Sequence, residues 1–273
     1  MTASGNEADD PAVTAGATAD DQVSPEPELP AVPFGEWPSP ITAAEVAGAQ
    51  ASGVFPTVLG SSVWWQQVLP DEGGRITIMH TSGGKLTTLL PAPWNARSRV
   101  HEYGGQSYLP IPRAALAGSR GQHGQSRGHL LLFVDFADQR MYLASPNAAA
   151  PEAPRPLTPD PAQVPAADGS GPLPACALRY ADFTLSPDRT EVWCVQERHE
   201  SGKVSRAIVA VPLDGSAAAR PEAIRTLVTG ADFFAYPIPS PDGNWLAWIS
   251  WNHPHMPWDG TDLRVAPVEK GVA

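Results

Sequence analysis

An all-β fold is what this sequence predicts, and three observations carry it. Proline and glycine, 31 and 24 of 273 residues, make up about a fifth of the chain against a usual ~12%. Both residues break helix interiors. Apolar runs are short and are separated by Gly, Pro, Asp and Ser clusters, the pattern of strands joined by turns. The third observation is an internal repeat, in which Ser186-Pro187-Asp188 returns as Ser240-Pro241-Asp242, 54 residues on.

The repeat extends well beyond its turn. Six residues before each Ser stands an aromatic (Tyr180, Phe234), followed each time by Ala (Ala181, Ala235). Six residues after stands Val192 or Leu246, and nine after, Val195 or Ile249. Proline fixes φ at the second position of a turn and Asp bonds its own backbone, so each copy reads as strand, tight turn, returning strand. A further strand follows each copy, over 207–213 or 262–268. Such units bury a face only by stacking on the next. A period near 50 residues with several strands per unit fits the blade of a β-propeller.

Along the chain, residues 1–32 hold seven acids (Glu7, Asp9, Asp10, Asp20, Asp21, Glu26, Glu28), no Lys or Arg, and no apolar periodicity. They read as a disordered acidic leader, with 33–273 the partial propeller. Thr42 to Gln50 suits a short helix capped by Thr42. One diverged unit runs 62–67, 75–81 and 85–90. A second runs 105–109, 130–136, 140–145 and 155–158. Arg113 to Gly128 and Pro146 to Pro174 read as long loops between strands. The count is about four blades, and four blades taken from a longer ring leave open edges.

Net charge is −11, but seven of the 29 acids lie in the leader, so no charged face is indicated. Nucleic acid is not expected as a partner, because phosphate contacts need a clustered basic surface. Apolar runs fall far short of the ~18 residues that span a bilayer, and the N-terminus lacks a basic and apolar signal pattern. No membrane partner and a cytoplasmic location are the expectations. Cys176 and Cys194 lack zinc-site spacing. Cys194, inside Val192-Trp193-Cys194-Val195, reads as a small buried hydrophobe, and no disulfide is expected.

Five stretches, in order, resemble bacterial serine peptidases of the prolyl oligopeptidase family, the acylaminoacyl-peptidase and dipeptidyl-aminopeptidase-like members. They are Phe34-Gly-Glu-Trp-Pro-Ser-Pro-Ile41, Arg97-Ser-Arg-Val-His-Glu-Tyr-Gly-Gly105, Phe136-Ala-Asp-Gln-Arg-Met-Tyr142, Arg179-Tyr-Ala-Asp182 and Trp251-Asn-His-Pro-His-Met-Pro-Trp-Asp-Gly-Thr-Asp-Leu263. Asn252, His255 and Asp262 depart from the family pattern in the last. The resemblance implies a propeller of seven or eight blades that admits short peptides, followed by a C-terminal α/β-hydrolase domain carrying Ser, Asp and His. It covers about residues 33–270 and only the first half of such a propeller. The chain is therefore expected to lack the hydrolase domain and any catalytic triad.

Gly124-Gln-Ser126-Arg-Gly128 matches Gly-x-Ser-x-Gly, but a nucleophile elbow needs a strand before it and a helix after. Here a Gly-rich loop precedes and the strand 130–134 follows, so Ser126 reads as a loop residue. His253, His255 and Asp259 are suitable metal ligands by type, yet their Pro- and Trp-rich setting reads as an inter-strand loop packing an aromatic. No metal and no cofactor are expected. Trp64, Trp65, Trp193, Trp245, Trp248 and Trp251 read as core or blade-to-blade packing.

The dense polar cluster is Arg97, Arg99, His101 and Glu102. A carboxylate binds a peptide amino terminus and an Arg binds carbonyls or a carboxylate by charge-assisted bonds; a structural ion pair between blades uses the same residues. The leading expectation is the gating and orienting propeller portion of a peptidase acting on short peptides, with the hydrolase domain as its partner. The alternatives are a stand-alone propeller that binds proteins or peptides, and a truncated product without function. Whether this chain is itself an enzyme stays open at this level.

Overall fold

The computed structural model describes residues 33, 35–36, 39–48, 51–113, 128–146 and 152–268. The acidic leader expected over 1–32 and Ser126 with its surrounding loop lie outside the described residues. The chain divides into two units, Met1–Gly48 and Ala49–Ala273. In the first, helix α1 (Ala43–Ala47) opens on a capping box: the Thr42 hydroxyl accepts from Glu45 N–H at 3.1 Å, and the Glu45 carboxylate accepts from Thr42 N–H at 2.7 Å. The helix is shorter than the 42–50 span expected, because Gly48 turns to extended backbone.

The second unit is four antiparallel sheets, each a meander of consecutive strands. The first blade is β1 (Gly53–Leu59), β2 (Ser62–Leu69), β3 (Arg75–Ser82) and β4 (Lys85–Thr88). The second is β5 (Tyr108–Pro112), β6 (His129–Val134), β7 (Met141–Ala144) and β8 (Arg155–Pro156). The third is β9 (Leu178–Leu185), β10 (Glu191–Glu200), β11 (Lys203–Pro212) and β12 (Arg225–Val228). The fourth shows three strands among the described residues, β13 (Phe233–Pro239), β14 (Trp245–Trp251) and β15 (Asp262–Pro267). This is the four-blade propeller arrangement expected, with β1 and β12 as strands not expected from the sequence.

The repeated turn does in both copies what its residues allow. Ser186 Oγ donates to Asp188 Oδ1 at 2.7 Å and accepts from Glu191 N–H at 3.0 Å. Ser240 Oγ bonds Asp242 in the same way and accepts from Trp245 N–H at 3.0 Å. Asp188 and Asp242 each cap the next turn N–H, that of Thr190 or Asn244, at 3.1 Å.

Three apolar clusters lie between the sheets. Trp64 and Ile78 of the first blade pack with Tyr108, Leu131 and Phe133 of the second. Leu132, Val134 and Met141 of the second pack with Tyr180, Val192 and Cys194 of the third. Trp193, Val195 and Ile208 of the third pack with Phe234, Leu246 and Trp248 of the fourth. Alternation along each strand supplies both faces, so the buried stretches of the central strands, such as Leu130–Val134 and Val192–Val195, are apolar at consecutive positions. Burying such side chains contributes roughly 1.5–3 kcal/mol each.

Of the six Trp assigned to packing, Trp64, Trp193, Trp248 and Trp251 are buried and Trp65 is partly covered. Trp245 is half exposed, because it opens β14 on the face that meets no further sheet among the described residues. Trp258, expected to pack within its loop, is exposed instead. Cys194 is fully buried, and burial pushes its thiol far up. No helix among the described residues is long and apolar enough to cross a membrane.

Candidate functional site

Each of three blades carries a β-bulge near the start of its first strand. The register slips between Val54 and Thr57 in β1, between Ala181 and Thr184 in β9, and between Ala235 and Ile238 in β13. At each slip a non-glycine residue takes positive φ: Phe55 at 54°, Asp182 at 58° and Tyr236 at 50°. A bulge re-aims the side chain it carries. All three residues line one pocket of about 670 Å³.

The second blade contributes the segment 97–105 that leads into it. His101 and Glu102 are both left-handed, at φ 58° and 67°, so the chain reverses and Gly104 N–H reaches Val100 O at 2.8 Å. Gly104 itself sits at φ 89°, where a Cβ would lie 2.9 Å from Ser98 O. Gly105 answers to a different demand: its Cβ would meet Asp182 Oδ1 at 2.8 Å and Ala181 Cβ at 3.0 Å. This tight turn separates the four residues singled out from the sequence.

Arg97 and His101 line the pocket. Arg97 also lies 5.0 Å over the Phe136 ring, and Arg99 4.3 Å over the same ring. Glu102 faces outward, its side chain 74% exposed, and pairs with Arg179 NH1 at 2.6 Å. Arg179 donates to Arg99 O at 3.0 Å as well, so Glu102 and Arg99 join the segment to the third blade. His101 is buried; its Nε2 lies 3.1 Å from Phe234 O in the fourth blade, and its ring lies 5.2 Å from that of Trp251.

Beneath His101 is Glu197, fully buried. It accepts from His101 N–H at 3.0 Å, from His199 Nε2 at 3.2 Å and from Arg206 Nε. Burial pushes its carboxyl up, but these donors outweigh burial and hold it below the ordinary value. His101 is held low chiefly by burial, against the pull of Glu197. Arg206 stacks on Phe233 at 4.3 Å, and Phe233 stacks flat on Trp251 at 5.1 Å. The pocket wall is therefore braced from behind by one charged cluster.

Asp182 is the acidic group of the pocket. Burial raises its carboxyl to about 6, against the opposing effect of N–H donors from Tyr236 and Gln106. Burial and then this carboxylate raise the phenols of Tyr103 and Tyr236. The three bulge residues went unnoticed in the sequence, although the 54-residue repeat aligns Asp182 with Tyr236. Among the described residues no cluster of three or more His, Cys, Asp or Glu is arranged to hold a metal ion. His253, His255 and Asp259 lie on an exposed loop, where Asp259 accepts from Met256 N–H at 2.9 Å.

Four meander sheets, with a pocket lined by three of them and by the segment that leads into the second, define a β-propeller region. Solved structures show what it is similar to. A puromycin-hydrolyzing peptidase of Mycobacterium tuberculosis is 49% identical with a TM-score of 0.72, over 88% of this chain and 34% of that one. A puromycin hydrolase is 40% identical with a TM-score of 0.71, over the same shares. A variant of puromycin hydrolase complexed with PGG is 39% identical with a TM-score of 0.71. These structural neighbours are peptidases of the prolyl oligopeptidase family, and the chain matches an N-terminal propeller fragment of them. It spans about a third of the length of the peptidases it matches. No protein-family model and no curated protein matches it.

Proposed function

We propose that this chain is the gating and orienting portion of a cytoplasmic serine peptidase, with the pocket as the place where a short peptide or aminoacyl amide is held. The observation that carries the reading is the convergence of three bulge residues, Phe55, Asp182 and Tyr236, with Arg97 and His101 on one pocket. Its volume is that of a small-ligand site. Aromatic and apolar surface suits an uncharged side chain, and Arg97 suits a peptide carbonyl or carboxylate. The similarity to puromycin-hydrolysing peptidases supports the substrate class. The acyl transfer to serine and then to water belongs to an α/β-hydrolase domain as partner.

Calorimetric titration of the full chain with puromycin and with a tripeptide tests this. Saturable one-to-one binding that Tyr236→Ala weakens about tenfold or more, ~1.4 kcal/mol, is expected. Heats unaffected by Tyr236→Ala contradict it. Fluorophosphonate should leave the chain unlabelled; labelling at Ser126 would place a nucleophile in this chain and overturn the division of labour.

A further inference from the structure

Two imidazoles meet at the joint between the first and second blades. His80 is paired directly with Trp64 across β3 and β2 and shares its face with Ile78, the face that packs on the second blade. On β6, His129 shares a face with Leu131 and Phe133, which pack back on the first blade. The fully buried Trp64 ring touches both: its centroid lies 4.4 Å from that of His80 and 5.2 Å from that of His129.

This end of the joint offers no carboxylate to a second imidazole proton. Trp64 Nε1 and His80 Nε2 are both buried without a hydrogen-bond partner among the described residues. Strands β1 to β7 contain no Asp or Glu, and their Lys and Arg are Arg75 and Lys85. Arg113 follows β5 and donates to Ser145 Oγ at 2.7 Å. The connection from Arg113 to Gly128 adds Arg120, His123 and Arg127 and no acid. Asp71 and Glu72 lie beyond Arg75, itself ~17 Å from His80 along β3, and Glu72 is paired with Arg75. Asp135 and Asp138 lie past the far end of β6, ~20 Å from His129, where Asp138 accepts from the Tyr142 hydroxyl. Glu152, beyond β7, is exposed.

Burial holds both imidazoles below the ordinary histidine value, and the charge of His129 lowers His80 further. His101, the buried imidazole of the pocket, differs in having Glu197 Oε1 3.7 Å from its Nδ1. The other end of the joint is held by groups that keep their charge state. Gln66 Nε2 donates to Ala96 O at 2.9 Å and to Ser107 Oγ at 2.8 Å, and the Tyr108 hydroxyl donates to Phe55 O at 2.6 Å. Burial pushes that phenol up to about 12.

We infer that this joint is an acid-sensitive latch: protonation of His80 and His129 frees that end of the first blade from the second. The blade then pivots on the bonds of Gln66 and Tyr108 and carries with it the pocket wall of Val54, Val68 and Ile76. Two like charges without a carboxylate are costly in a buried joint. Because the folded state favours the neutral rings, their contribution to stability is fully present above the unfolded value near 6.5. It is lost as pH falls through the folded values.

Amide hydrogen exchange of the full chain at about pH 7.5 and about pH 5, corrected for the intrinsic effect of pH on exchange, tests the latch. Peptides over β2, β3 and β6 should exchange about tenfold faster or more at the lower pH, and peptides over β10 and β14 should not speed up. His129→Gln removes one of the two charges and should abolish most of the acceleration. His129→Glu supplies the missing carboxylate, so that acid no longer speeds exchange; each variant carries the prediction by itself once circular dichroism shows it folded. Acceleration spread equally over all blades overturns the inference, as does acceleration that persists in the folded variants. Wild-type peptides of this joint that ignore pH overturn it as well. Exchange is read without any ligand, so the outcome is independent of the reading of the pocket.

Discussion

The carboxylate of Asp182 accepts the backbone N–H of Tyr236 at 3.2 Å, joining the third blade to the fourth at the pocket wall. Its other oxygen accepts Gln106 N–H at 3.0 Å, and its own N–H donates to Gln106 O at 2.8 Å. One side chain thus ties three blades together at the point where the bulges meet.

Asp182→Ala removes both acceptors and leaves two backbone donors without partners. Both donors are partly buried and a fully buried orphan costs about 1–3 kcal/mol, so a loss on the order of 2–4 kcal/mol in urea unfolding is the expected outcome. A change under about 0.5 kcal/mol, ordinary for a surface site, would show that the bridge has no structural role.

The raised carboxyl of Asp182 also makes a signed pH prediction. Its folded value, about 6, lies above the unfolded value near 3.8, so the folded state holds the proton more tightly. Its contribution to stability is fully present below pH 4 and is lost as pH rises through 6. Measured against Asp182→Asn, which does not titrate, the wild type should lose on the order of 2–3 kcal/mol between pH 4 and pH 7. A flat difference contradicts the assignment.

Gly105→Ala separates sterics from backbone preference, since the Cβ would press on Asp182 Oδ1 at 2.8 Å while Asp182 is held by two N–H donors. Overpacking of this kind typically costs about 1–3 kcal/mol. Thermal denaturation should show the loss, together with weaker binding of puromycin. Unchanged melting and binding would mean that the pocket wall is not rigid.

Glu197 stands behind the pocket with a cationic partner of its own. Glu197→Ala leaves the partly buried Arg206 without its carboxylate and His101 N–H without its acceptor. Breaking a buried pair costs about 3–5 kcal/mol, and denaturant titration should show a loss of that size. Stability within about 0.5 kcal/mol of wild type would assign the charge balance to other groups.

Much of the fold was legible in the sequence because its signals are local. The Ser-Pro-Asp turns, the 54-residue spacing and the apolar β6 and β10 dictate hairpins that stack, and blade order follows. β1 was passed over because Gly53 and Pro56 interrupt its alternation and its bulge breaks the period of two. Trp245 was misplaced for a related reason: residue type predicts burial only where another sheet covers the face. The pocket was only half legible. The motif 97–105 pointed to Arg97 and His101, but it did not separate them from Arg99 and Glu102, which turn toward Phe136 and Arg179. Positive φ at Phe55, Asp182 and Tyr236 is fixed by register between strands, and nothing in those residue types announces it.

The most direct test of the central claim is photo-crosslinking of the full chain with a photoreactive puromycin analogue, mapped by mass spectrometry. Adducts on Phe55, Tyr103 and Tyr236, suppressed by excess puromycin, are the predicted result. Adducts confined to the outer face of the fourth blade, at Leu263 or Val265, or unaffected by competitor, would contradict the assignment of the pocket as the substrate-facing site.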